Sequence, residues 1–143
     1  MREPVVAEIM STEPRVMHPS DRVRVALREM ELSCFHHFPV VGKDGRLVGV
    51  VSRRDLEAAQ ARNALVREVM SEDVKMVTPE TPAHEAAYLI LRHRIGCVPV
   101  VSSDGVLSGI VTDTDFVRAA YVLLGGTVAV DQLELEELEA ERV

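Results

Sequence analysis

The feature that most constrains this chain is an internal duplication. The stretch Phe38-Pro-Val-Val-Gly-Lys-Asp-Gly-Arg-Leu-Val-Gly-Val-Val-Ser-Arg-Arg-Asp55 returns sixty residues later as Val98-Pro-Val-Val-Ser-Ser-Asp-Gly-Val-Leu-Ser-Gly-Ile-Val-Thr-Asp-Thr-Asp115. Each copy reads as strand, turn, strand and helix start. Pro39 and Pro99 open the first strand, where a missing N–H is tolerated. Asp44-Gly45 and Asp104-Gly105 are hairpin signals, the glycine supplying a positive φ. Ser52 and Thr112 end the second strand as helix N-caps. Asp55 and Asp115 follow three residues on, where a carboxylate completes a capping box or binds something outside the fold. An ungapped comparison of residues 6–58 with 66–118 finds fifteen identical positions, among them Val6, Glu8, Met10, Ser11, Ala26, Gly49 and Asp55 with their partners. A period of this length present only twice implies a pseudo-symmetric pair and not an extended array.

The chain has 143 residues, enough for one compact domain or two small repeats sharing a core. With 47% hydrophobic residues and no Trp, that core is aliphatic. No apolar run approaches the roughly 20 residues that span a bilayer, so no membrane insertion is expected. Met-Arg-Glu-Pro is followed by no signal-like segment, which leads to the expectation of a cytoplasmic protein. Cys34 and Cys97 occupy non-equivalent repeat positions and read as buried free thiols. The net charge is −7, but residues 131–143 hold six acids and one Arg, so the body carries only −2. No basic face is visible, which disfavours nucleic-acid binding.

In chain order, residues 5–10 read as a short amphipathic helix and Pro14–Met17 as an extended piece. Ser20 or Asp21 is expected to cap a helix whose buried stripe is Val23, Ala26, Leu27 and Met30. The hairpin 38–51 and a helix from Ser52 to Arg62 follow, with Asn63 as its end. In the second copy, Val66–Met70 is the leading turn and Lys75–Val77 the extended piece. Thr81-Pro82 then starts a helix with Pro at its first position, burying Ala83, Ala86, Ala87, Ile90 and Leu91. The hairpin 98–111 and a helix from Thr112 to Leu124 complete the copy, and Gly125-Gly126 breaks that helix. Thr127–Val130 is expected as a strand. Asp131 would then cap a last acidic helix, which docks on a partner subunit or frays.

The pattern Val6-x-x-Ile9-Met10-Ser11, Pro19-Ser20-x-x-Val23 and Phe38-Pro-Val-Val-x-x-x-Gly-x-Leu-x-Gly-Val-Val-Ser-x-x-Asp55 resembles a CBS domain, named after cystathionine β-synthase. Two in tandem resemble a Bateman module. The resemblance covers residues 4–120 and divides the chain into repeats at 4–62 and 63–124 with an acidic extension at 125–143. It implies an α+β fold, two βαββα repeats packed sheet to sheet about a pseudo-twofold axis, with two clefts between them. It further implies a regulatory module, commonly a homodimer, that binds AMP, ADP, ATP or S-adenosylmethionine. With no second domain attached, such a module would act on an unidentified partner in trans.

Family analogy builds each cleft from both copies. Cleft one would join Thr112 and Asp115 with Asp21, Ala26, Phe35 and His36. Cleft two would join Ser52 and Asp55 with Thr81, Ala86, Ile95 and Gly96. The aspartates would accept the vicinal ribose hydroxyls, and the Ser or Thr hydroxyl with helix-start N–H groups would favour a phosphate. A plain helix cap is the alternative for the same residues, and the two roles can coexist. Positions like His36, His37 and Arg54 contact phosphate in nucleotide-sensing relatives. Their alternatives are a strand edge or dimer contact for the histidines and a solvated helix residue for Arg54. Asp21 stands where relatives often carry Thr or Ser and would repel a nearby phosphate. No metal-ligand spacing, nucleophile elbow or phosphate loop appears, so neither a metal site nor an enzyme is expected. The functions left open are an adenine-nucleotide sensor, an S-adenosylmethionine module suited to Asp21, and a ligand-free interaction scaffold.

Overall fold

The computed structural model describes residues 3–33 and 36–127. The elements in order are β1 (Ser11–Thr12), α1 (Val23–Ser33), β2 (His37–Val41), β3 (Leu47–Ser52), α2 (Arg53–Ala59), α3 (Val66–Val69), α4 (Ala83–His93), β4 (Cys97–Val101), β5 (Leu107–Thr112) and α5 (Asp113–Leu123). Short 3-10 turns at Val6–Glu8 and Gln60–Arg62 precede β1 and extend α2. The hairpins β2–β3 and β4–β5 share one register, pairing His37 with Ser52 and Cys97 with Thr112. Gly45 and Gly105 turn them at φ of 81° and 82°, as Asp-Gly predicts. The expected extended pieces add as parallel bridges, Met17 to Val40 and Val77 to Val100. The result is two βαββα repeats.

The repeats are interlocked. Each leading segment leaves its own repeat and builds the other. Val6 N–H donates to Thr81 O and Val66 N–H to Asp21 O, both at 2.8 Å. Ser11 pairs with Ile110 in β5, and Ser71 exchanges two hydrogen bonds with Val50 in β3. Glu8 and Glu68 are identical for a local reason: their carboxylates accept the N–H of Val5 and Leu65 where each segment turns. At the repeat junction the hairpin turns meet, Leu47 N–H donating to Gly105 O and Leu107 N–H to Gly45 O.

This exchange settles how apolar residues are shared. Among the described residues there are two clusters, not one common core. The first gathers Val23, Ala26, Met30, Phe38, Val51 and Leu56 and takes in Val66 from beyond the repeat. The second gathers Val77, Ala86, Val98, Val100 and Val111 and takes in Val6.

Helix starts differ from expectation. α1 begins at Val23, beyond Asp21, whose carboxylate instead accepts the His18 N–H and closes the preceding turn. Pro82 is the N-cap of α4 and not its first helical residue, with ψ of 135°. Its neighbour Thr81 repeats the Asp21 role, accepting from Thr78 N–H. On α4, Ala83, Ala86 and Ile90 face the core as expected, but Leu91 is 78% exposed and Ala87 only half-buried, because Leu89 completes the buried stripe on the other side of Ala86. Asn63 ends the α2 segment at φ of 52°, as expected, and Arg94 ends α4 in the same left-handed conformation. The expected strand at 127–130 and the acidic helix after it lie almost wholly outside the described residues, as do Cys34 and Phe35.

Candidate functional site

Both hairpins run into a helix through a complete capping box. Ser52 Oγ accepts the Asp55 N–H at 3.1 Å, and Asp55 Oδ2 accepts the Ser52 N–H at 3.2 Å. Thr112 Oγ1 and Asp115 Oδ2 do the same at 3.2 and 2.9 Å. The capping role of these four residues is therefore real, and each aspartate spends one oxygen on it. The other oxygen, Oδ1, distinguishes the copies. Asp115 Oδ1 is bound by Arg118 Nη1 at 2.9 Å, and the Asp115 side chain is 4% exposed. Asp55 is half-buried, and no described side chain bonds its Oδ1. The position equivalent to Arg118 is Ala58, which cannot reach it.

Between the copies, the starts of β2 and β4 come together. The His37 ring lies so close to Gly96 that a Cβ at position 96 would stand 3.1 Å from its Cε1. Burial pushes the His37 imidazole below its ordinary value, with His36 adding to the effect and Asp113 and Asp55 opposing it. Asp55 and Asp113 thus approach one ring from opposite copies. Burial also pushes the Cys97 thiol up to about 12, with Asp113 contributing, so it is an inert thiol.

The other predicted residues are placed as follows. Ala26 and Ala86 are fully buried in the two clusters, and Ile95 packs against the second. His36 is exposed, and its carbonyl accepts the first N–H of α2 from Arg53, while the Gly96 carbonyl accepts that of Asp113 in α5. Arg54 is exposed and makes no ion pair among the described residues, whereas Arg53 pairs with Glu57 at 2.9 Å. No hydrogen bond joins Asp21 to Thr112 or Asp115, or Thr81 to Ser52 or Asp55, among the described residues. Thr81 lines a groove of about 630 Å³ with Thr78, Glu85, Tyr88 and Val101, at the turn end of β4 and remote from the Cys97–Thr112 pair. Among the described residues, no group of three His, Cys, Asp or Glu could hold a metal, and no helix is long and apolar enough to cross a membrane.

Two residues escaped the sequence reading. Asp113 touches the electrostatics of both His37 and Cys97, and its only trace was the contrast with Arg53. Arg118 had no signal beyond an Ala58 column that does not match.

A family model for the CBS domain matches residues 6–62 and again 66–121. The chain belongs to the CBS domain family. Among relatives of this CBS pair, inosine-5'-monophosphate dehydrogenase of Korarchaeum cryptofilum is 40% identical over 105 residues, which are 72% of this chain. Those residues are 22% of that enzyme, so the chain spans about a fifth of the length of such relatives. Among solved structures, CBSX2 in complex with AMP is 30% identical with a TM-score of 0.78, covering 83% of this chain and 97% of that one. A CBS domain pair in complex with 5'-methylthioadenosine and S-adenosyl-L-methionine is 27% identical with a TM-score of 0.76, covering 82% and 96%. The glycines of the family's Gly-x-x-Ser/Thr-x-x-Asp segment have a packing role in this CBS pair. A Cβ at Gly49 would meet Ser71 O at 2.8 Å, and one at Gly109 would meet Ser11 O at 2.7 Å.

Proposed function

We propose that this CBS pair is a regulatory sensor that binds an adenosine-containing ligand between its repeats and acts on a partner protein in trans. AMP is the first candidate, with ADP and ATP sharing its nucleoside. The observation that carries the reading is Asp55: its Oδ2 is held by the cap, which fixes the carboxylate, while Oδ1 remains available to a ribose hydroxyl. Carboxylate oxygens accept only, and a vicinal diol supplies two donors, so the match is one of chemistry as well as place. Arg54, next to Asp55 and without an ion pair among the described residues, supplies the charge for a phosphate. Ser52, Gly96 and His37 form the surroundings, with Ile95 beside Gly96; Thr81 in its own groove and Ala86 in the core stand apart from them. The similar CBSX2, solved in complex with AMP, supports AMP as the ligand class. Calorimetric titration with AMP tests it: wild type should bind, and Asp55→Asn should lose binding without losing the fold. Absence of heat and of a thermal shift at millimolar AMP would reject it.

A second reading, S-adenosylmethionine, has its own support. Burial holds the His37 imidazole below its ordinary value, which favours its neutral form, and Asp113 stands near it, a setting that suits a sulfonium better than a second phosphate. The ligands of the second solved CBS pair point the same way. Competition between AMP and S-adenosylmethionine separates the two. The same reading includes a cytoplasmic homodimer, its dimer supported by the large exposed side chains Leu32, Tyr88, Leu91 and Val117. Light scattering should give twice the chain mass, falling to one for Leu91→Glu.

A further inference from the structure

We infer that Arg118 closes cleft one, so that this CBS pair offers one nucleoside site per chain and not two. The inference rests on the ligand reading above for what the open site binds, but the closure itself is a property of the chain. Repeat symmetry gives Asp55 and Asp115 identical caps, so any difference in their availability must come from their surroundings. Asp115 has Thr112 N–H on Oδ2 and Arg118 on Oδ1, and its side chain is 4% exposed. To take a ribose, it would have to part from a guanidinium in a covered setting, where a charge-assisted hydrogen bond is strong and an unpaired charge costly. Two hydroxyl donors do not replace the charge. Asp55 faces no such exchange, because Ala58 stands where Arg118 would be. The α5 side adds a second obstacle to an anionic ligand. Asp113 is itself a carboxylate, and its Oδ1 accepts the Thr114 N–H at 2.8 Å, the helix-start donor that a phosphate would otherwise use.

Stoichiometry with AMP reads this directly. Wild type should bind one AMP per chain, a site lost in Asp55→Asn and kept in Asp115→Asn. Arg118→Ala should bind two, the second more weakly because Asp113 remains, and Arg118→Met, which keeps the apolar stem that covers the helix, guards against simple loss of packing. Two sites in wild type, or a single site that follows Asp115, would overturn the inference. So would a single site retained in both Arg118 variants. Carboxyl labelling with a carbodiimide and an amine, read by mass spectrometry, needs no nucleotide. Asp55 should label several-fold faster than Asp115 in wild type, and Asp115 should reach the Asp55 rate once Arg118 is replaced. If AMP does not bind at all but the labelling contrast holds, the ligand reading fails and the closure stands. Equal labelling in wild type overturns the closure.

Discussion

Asp55 carries two duties that mutation can separate. Asp55→Ala removes the acceptor of the Ser52 N–H and should cost about 1 kcal/mol, the usual worth of a cap. Asp55→Asn keeps a side-chain acceptor there, so its melting temperature should stay near wild type. Both should lose AMP binding if the carboxylate grips the ribose. If the Asn variant kept binding, Asp55 would be a cap and nothing more. His37 gives the residue-scale pH dependence. Its folded-state value lies below that of the unfolded chain because the ring is buried beside His36. Between the two values the unfolded chain takes up a proton and the folded one does not. Stability therefore falls as pH drops through that window, below about 6.5, and levels off beneath it. His37→Gln should flatten the melting temperature as pH falls from about 7 to about 5, the region around and below the ordinary imidazole value of about 6.5. An unchanged slope would assign the dependence to other groups.

At the scale of elements, the crossings constrain the chain more than the helices do. Gly49 and Gly109 admit the backbones of Ser71 and Ser11, with Met70 and Met10 sulfurs 2.9 Å from where a Cβ would stand. Their φ angles are not positive, so the demand is for space alone. Gly49→Ala and Gly109→Ala should each cost roughly 1–3 kcal/mol in urea unfolding, since strand backbone cannot retreat as a side-chain tip can. A loss under half of that would mean that the sheets part easily. Here the limits of the sequence are plain. Hairpins, turn glycines and Ser/Thr caps were readable because each is a local matter of φ, a missing N–H or a side-chain acceptor within three residues. The helix starts at Asp21 and Thr81 were misplaced because a side chain that caps a turn at i−3 has the same composition as one that caps a helix. Identity of Met10, Ser11 and Gly49 with their partners was visible, but the reason was not: it lies in contacts with a segment of the other repeat, far away along the chain. The candidate site divides likewise. Asp55 and Asp115 were found as a pair, and the contrast between them depends on Arg118, whose column carried no motif.

Taken whole, the molecule is two repeats that each complete the other, and this decides whether either can exist alone. A cut after Arg62 leaves the first piece with Val6, Ile9 and Met10, which pack in the second cluster, and without Ala64, Val66, Val69 and Met70, which pack in the first. Burying one Val is worth roughly 1.5–3 kcal/mol, and a unit of this size holds a margin of only about 3–9 kcal/mol. Losing the borrowed segment removes most of that margin, along with the hydrogen bonds from Val66 and Arg67 to Asp21 and Pro19. Fragments 1–62 and 63–143 should each lack a cooperative transition, and an equimolar mixture should regain one together with AMP binding. The same logic predicts where a point mutation is felt. Val6→Ala should cost about 2 kcal/mol and, in hydrogen exchange, weaken α4 and β4 of the second repeat before the hairpin of its own. Val66→Ala should do the reverse, weakening α1 and β2. A ligand held between the repeats would then bridge units that already share their cores, so its occupancy would register on both at once. If either fragment folded by itself, that coupling would lose its structural basis.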